Sequence, residues 1–149
     1  GALRPVADPS PNLALNCKAA ASSTRRNYRV PPRQDPSHDR VETYAPANAL
    51  DGYNGTRWLA AAGDSASWFQ VDLGAPRNIR RTEVYFVKPA AGHAYRLEWS
   101  LDSQSWQSYG GHDDIILRSP HCDKKSVRAR YLKLTILKGE SGLWELRVY

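Results

Sequence analysis

The stretch richest in possible chemistry is Ala47-Asn48-Ala49-Leu50-Asp51-Gly52-Tyr53-Asn54-Gly55-Thr56-Arg57-Trp58. Gly52 and Gly55 admit backbone conformations with positive φ that side chains with a Cβ resist. Asp51 and Thr56 can then turn oxygen atoms toward the inside of the loop, beside backbone carbonyls. Calcium takes roughly six to eight such oxygens and tolerates irregular geometry. The same residues also make an Asx-type turn between two strands, with Asp51 accepting from backbone N–H groups. The loop by itself leaves both readings standing.

A second polar set precedes it. The segment from Ser22 to Pro46 has no hydrophobic periodicity and carries Pro31, Pro32, Pro36 and Pro46. Structureless connections of that length are functional or disordered. Tyr28, His38, Asp39, Arg40, Glu42 and Tyr44 within it could grip a polar ligand. A guanidinium and a carboxylate suit sugar hydroxyls, and a tyrosine ring can stack on a pyranose face. Lys88 and His93, in a later loop, add to the set. Catalysis would need a convergent constellation. The clusters present, His112 with Asp113 and Asp114 and His121 with Cys122 and Asp123, lack metal-ligand spacing, and neighbours on a strand face opposite ways. The chain reads as a binding protein, not an enzyme.

The elements that must position these groups are strands. Leu13, Leu15 and Cys17 alternate with polar or small residues and suggest a first strand. Trp68–Leu73 ends at Gly74-Ala75-Pro76, and Ile79–Val87 follows as another. Tyr95, Leu97 and Trp99 alternate cleanly with Arg96, Glu98 and Ser100, and Leu101–Ser105 reads as a hairpin turn. Ile115 and Leu117 suggest a further short strand. From Val127 to Leu137 the alternation changes parity, as a β-bulge near Tyr131 would cause. At the end Trp144, Leu146 and Val148 alternate with Glu145, Arg147 and Tyr149. No helical periodicity exceeds two turns. Short strands with frequent turn signals predict an antiparallel β-sandwich.

Composition sets the context. At 149 residues the chain holds one domain's worth of core. No apolar run approaches the roughly 20 residues that span a bilayer. Residues 1–11, with three prolines, read as a linker or extended lead-in, and 12–149 as the domain. The first residue is not a natural start, so the chain reads as a mature fragment or an excised module. The net charge is +6, concentrated in Arg25–Arg40 and in Arg118, Lys124, Lys125, Arg128, Arg130 and Lys133. Such patches favour anionic partners, although solvated surface is the commoner outcome. No nucleic-acid-binding motif accompanies the charge. The two cysteines, Cys17 and Cys122, fit no zinc or redox motif; in an exported protein they would pair, and otherwise they are free thiols.

Six stretches, in order, resemble one family: Asn12–Asn16, Ala47–Trp58, Trp68–Gly74, Ser100–Trp106, Ala129–Leu134 and Leu143–Tyr149. They resemble the discoidin domain, or coagulation factor V/VIII type C domain, whose bacterial branch is carbohydrate-binding module family 32. The resemblance implies a galactose-binding-domain-like jelly-roll sandwich and a structural calcium ion. Asp51 and Thr56 would supply calcium ligands, Asn48 and Tyr53 carbonyls, and Glu145 a carboxylate from the last strand. Trp58, Trp68, Trp106 and Trp144 would be core or near-core. Bacterial members bind sugar with loops at one end of the sandwich, which here points to His38, Asp39, Arg40, Tyr44, Lys88 and His93. The loop Lys138–Gly142 is short and has no aromatic, so a galactose platform does not carry over. The expected function is a secreted or extracellular (periplasmic or cell-surface) module. It would bring an attached glycoside hydrolase to a polysaccharide, anionic or galactose-containing. The rival within the family is binding to anionic lipid or to a protein. Val30, Val41 and tyrosines offer little apolar area for a bilayer.

Overall fold

The computed structural model describes residues 10–31, 33–34 and 40–149. Among the described residues nine strands carry the fold: β1 (Lys18–Ala21), β2 (Tyr28–Arg29), β3 (Val41–Glu42), β4 (Trp58–Leu59), β5 (Trp68–Phe86), β6 (His93–Ser100), β7 (Gln107–Ile116), β8 (His121–Lys138) and β9 (Gly142–Val148). Two single 3-10 turns, Pro46–Ala49 and Pro89–Ala91, are started by proline, whose fixed φ suits a first helical position. All pairings are antiparallel. One sheet runs β4-β9-β5-β8-β6-β7, with β1 on β5, and β2 pairs with β3 in a separate two-stranded sheet.

The architecture follows from how β5 and β8 bend. Their ladder breaks register between Asp72 and Arg77 and again between Ile79 and Arg81. Before the break β5 joins β1, and the later half of β8 joins β6. After it β5 joins β9. Each strand thus serves both layers of an antiparallel jelly-roll β-sandwich. The inward residues alternate on either side of the bend: Phe69, Val71 and Leu73, then Val84 and Phe86, with Leu132, Leu134, Leu146 and Val148 opposite. Each large side chain so buried is worth about 1.5–3 kcal/mol relative to exposure.

Three expectations need correction, and one of the two readings left open for the cysteines is the one observed. Residues 13–16 are turn, not strand; Leu15 is exposed and Asn16 takes φ 57°, so the first strand starts at Lys18. The Trp68–Leu73 and Ile79–Val87 pieces are one bent strand. The segment from Ser22 to Pro46 is not structureless throughout, since Tyr28 pairs with Glu42 and Arg29 with Val41. Cys17 and Cys122 are free. Cys17 adjoins Lys18, which faces Asp72, whereas Cys122 faces Glu83 far along the same strand. A disulfide needs Cα atoms within about 7 Å. The Cys17 thiol instead donates to the Leu13 carbonyl at 3.2 Å.

Candidate functional site

Both ends of β5 return to the Glu140–Gly142 turn: Ser67 Oγ donates to Ser141 Oγ at 2.9 Å, and Val87 N donates to Gly142 O at 3.3 Å. That turn, the 61–65 turn and the chain after β5 form one end of the sandwich. Ser22 and Ser23 anchor the segment crossing it. Their hydroxyls donate to Asp64 Oδ2 at 2.7 and 2.6 Å, which holds that carboxyl below its usual range. The anchoring delivers Arg25, whose Nε donates to Ala60 O at 3.1 Å. The Arg25 guanidinium and the Lys88 ammonium each stand 3.8 Å from Glu140, on opposite carboxylate oxygens.

Beside this trio rises an aromatic stack. The Arg57 guanidinium lies 4.9 Å from the Trp144 ring and 5.4 Å from the Tyr44 ring. Tyr44 is buried, donating to Glu42 Oε2 at 3.0 Å, and Glu42 also accepts from Arg40 at 3.3 Å. Arg57 Nε has no hydrogen-bond partner among the described residues. Three shallow depressions meet here: one between the 61–65 and 137–141 turns, one over Trp144, and one between Arg40–Tyr44 and Gly55–Arg57. Arg25 and Glu140 line both the first and second, and Arg57 and Trp144 both the second and third. The result is a continuous polar track with a half-buried indole in its middle. Arg25, Arg40, Arg57, Lys88 and Lys138 edge it as cations, and Glu42, Asp64 and Glu140 as carboxylates.

The residues expected at the ligand site divide. Arg40, Tyr44 and Lys88 border this track. His38 and Asp39 lie outside the described residues. His93 does not belong: it opens β6, is fully buried and stacks on Phe86 at 4.1 Å. Its Nε2 bonds to the Glu140 carbonyl at 3.0 Å, and burial lowers its pKa. The site residues that sequence reasoning did not select are Arg25, Arg57 and Trp144; Lys138 and Glu140 lie in the Lys138–Gly142 loop, one of the regions to which the family resemblance points. For Trp144 the reason is a bulge. Glu145 faces Tyr85 and Leu143 faces Phe86, leaving Trp144 without a partner on β5 and turned out of the alternation. Trp58, by contrast, is fully buried, while Trp68 and Trp106 are half-buried with Lys133 over their rings at 5.1 and 5.7 Å.

The loop expected to hold calcium closes against β9. Asp51 Oδ1 accepts from Tyr53 N at 2.9 Å, and Asp51 Oδ2 accepts from Thr56 Oγ1 at 2.5 Å. Thr56 Oγ1 is also 3.4 Å from Asn48 O and 3.3 Å from Tyr53 O. Glu145 is 1% exposed, and neither carboxylate oxygen has a hydrogen-bond partner among the described residues. Burial, then the nearby Asp51 carboxylate, pushes its pKa up to about 7, although Asp51 stands outside hydrogen-bond geometry. An orphaned buried carboxylate beside a second carboxylate, a hydroxyl and two carbonyls is an all-oxygen donor set. The residues fit a calcium ion.

A jelly-roll sandwich with a polar track across its loop end and an oxygen-lined loop beneath defines a binding domain of the discoidin class. The chain belongs to that family: the F5/8 type C domain model matches residues 18–148. No curated protein matches the chain. Among solved structures it is 42% identical to a glycoside hydrolase, with a TM-score of 0.88, over 100% of this chain and 34% of that one. It therefore spans about a third of that protein's length. It is 25% identical, with a TM-score of 0.72, to chitosan-binding module 1 of a chitosanase/glucanase from Paenibacillus sp. IK-5, over 94% of this chain and 99% of that one. A family 32 module of Clostridium perfringens, in complex with GalNAc-β-1,3-galactose, is 20% identical with a TM-score of 0.67, over 90% of this chain and 95% of that one. That last likeness is one of fold. No helix among the described residues is long and apolar enough to cross a membrane.

Proposed function

We propose that this chain is a non-catalytic carbohydrate-binding module of an extracellular glycoside hydrolase, and that the polar track at its loop end holds the polysaccharide. The observation that carries this reading is the Trp144–Arg57–Tyr44 stack, open to the track and flanked by Arg25, Lys88 and Glu140. An indole offers the apolar face of a pyranose a partner, while guanidinium, ammonium and carboxylate groups bond its hydroxyls. Support for an attached hydrolase comes from the glycoside hydrolase of which this chain matches one part.

The ligand follows from charge. Arg25, Arg40, Arg57, Lys88 and Lys138 outnumber Glu42, Asp64 and Glu140, which favours a glycan bearing carboxylate or sulfate groups over an amino polymer such as the chitosan bound by the Paenibacillus module. Calcium, held by Asp51, Thr56 and Glu145 with the Asn48 and Tyr53 carbonyls, would stabilise the loop beside the track without entering any reaction.

Affinity electrophoresis against polygalacturonate, galactan and chitosan tests the reading. Polygalacturonate should retard the domain more than neutral galactan or cationic chitosan does. Arg25→Ala with Lys88→Ala should weaken retention at least about tenfold, the worth of one good charged contact, with little change in melting temperature. Unaltered retention in that double variant would move the site elsewhere; retardation by chitosan alone would reverse the charge argument.

A further inference from the structure

The bend of β5 and β8 lies at the opposite pole from the polar track. Both ends of β5 sit at the Glu140–Gly142 turn, so its middle is the part most remote from that turn. At this bend Arg77 faces Ala129, Asn78 faces Arg128, and Arg81 faces Lys124. Six cations gather there: Arg77, Arg80, Arg81, Lys124, Lys125 and Arg128. The segments 74–82 and 124–129 contain no carboxylate. Arg77, Arg80, Lys124, Lys125 and Arg128 are exposed.

Among the described residues Arg77, Lys124, Lys125 and Arg128 form no salt bridge, and Arg80 donates to Ser10 Oγ at 2.5 Å. Lys125 Nζ donates to the Ser108 carbonyl at 2.9 Å and Arg128 donates to Asn78 Oδ1 at 3.3 Å; both acceptors are neutral. Arg81 covers the Tyr149 ring at 4.5 Å and pairs with Glu83 at 3.6 Å. On the adjoining β6–β7 turn, Asp102 is taken up by the Gln104 and Ser105 amides and the Ser100 hydroxyl. Between the strands lies a shallow saddle. Ile79 and Val127 form its floor, and Asn78, Arg80, Ser126 and Arg128 its rim.

We propose that this pole is a second, charge-driven docking surface for an acidic polysaccharide strand, independent of the polar track. A row of cations across two strands meets a linear polyanion better than a single anion, and releases its counterions on contact. A bilayer would need apolar side chains to insert, but Ile79 is buried and neither segment carries an exposed large apolar residue. Single-stranded nucleic acid would need aromatic rings on which bases stack, and the floor and rim of the saddle carry none. With the track at one pole and this surface at the other, one domain can hold two strands of a gel, or one strand twice, and gain avidity.

Lysine acetylation footprinting with heparin as the sulfated probe locates the contact. Heparin should protect Lys124 and Lys125 at low salt, and the protection should fade as sodium chloride rises. In the variant Arg77→Gln/Lys124→Gln/Arg128→Gln the slope of log affinity against log salt should shrink by roughly 0.7 for each lost cation. Protection confined to Lys88 and Lys138 would place all anionic binding in the track and overturn the proposal. Protection by phosphatidylserine vesicles or single-stranded DNA at least as strong as by heparin would overturn the choice of partner. A triple variant with the wild-type salt slope, its thermal melt intact, would dismiss the pole altogether.

Discussion

At the scale of single residues the histidines teach most. His112 Nδ1 bonds to the Asp114 carbonyl at 2.8 Å, so this nitrogen carries a proton and Nε2 accepts from His121 Nδ1 at 3.0 Å. That assignment leaves His121 Nε2 bare and buried, without a partner among the described residues. The groups around His121 are His112 from β7, His93 across the Phe86 ring, Arg118 before it, and Tyr95 bonded to Asp123. Burial first, then the neighbouring histidines, pulls its pKa down to about 4. Its unfolded value is higher, so its contribution to stability is complete above about pH 6.5 and is lost as pH falls toward 4. Glu145, whose pKa is raised, acts in the opposite direction across that window, so the contrast lies between proteins: relative to wild type, His121→Gln should lessen the fall in melting temperature by roughly 5 °C or more. An equal drop in the variant would clear His121 of the effect. None of this was legible from the sequence, where nothing brings His93, His112 and His121 together. His93 in particular lies next to a proline- and glycine-bearing loop, and only the start of β6 at that residue turns its ring inward. Arg40, Tyr44 and Lys88 were legible because their segments lack periodicity, the mark of a surface connection.

Among the elements, the strands that obey simple alternation were legible and the bent ones were not. The β6 pattern of Tyr95, Leu97 and Trp99 predicts its inward face, as observed for the first two, with Trp99 packed half-buried against the core. The parity change in β8 is visible in the sequence too: Ala129 points inward, then Leu132, Leu134 and Ile136 do. What the sequence hides is that the partner strand accommodates the change, with the extra residues between Asp72 and Arg77 on β5. Bulges elsewhere have the same hidden consequences, since a single unpaired residue re-aims all that follow. On β7 the irregular pairing places Gly111 at φ 100°, against the Tyr95 carbonyl, where an added Cβ would collide with backbone. Gly63 has a similar φ of 87° but open space around it. Gly63→Ala should therefore cost only the backbone strain, about 1 kcal/mol. Gly111→Ala should cost at least about 2 kcal/mol more, by forcing strands apart. Equal losses in denaturant titrations would mean β7 yields easily at this edge.

For the whole molecule, the loop of Asn48 to Arg57 couples stability to the binding face. Asp51 and Thr56 lie in it, Arg57 leaves it to meet Trp144, and Glu145 follows Trp144 on β9. The same loop thus carries the calcium donors along its length and ends at the aromatic stack. An ion joining Asp51 to Glu145 would fix β9 against the loop and so fix Trp144 over the track. Without it, two carboxylates face each other in a buried place, which costs stability and loosens the indole's support. Binding to the folded state alone stabilises by mass action, about 2.7 kcal/mol at a hundred times the dissociation constant. For a domain of this size that corresponds to a rise of about 5–11 °C in melting temperature. Protein shown by elemental analysis to carry calcium should lose that margin in excess chelator and regain it on adding the ion back. Asp51→Ala should abolish the response, while Arg25→Ala, on the far side of the track, should keep it. Glycan retention should fall with chelation as well, because Arg57 and Trp144 hang from the two elements the ion joins. A melting curve unmoved by chelator, on protein that began loaded, would leave Glu145 with no cation and the loop as a plain Asx turn.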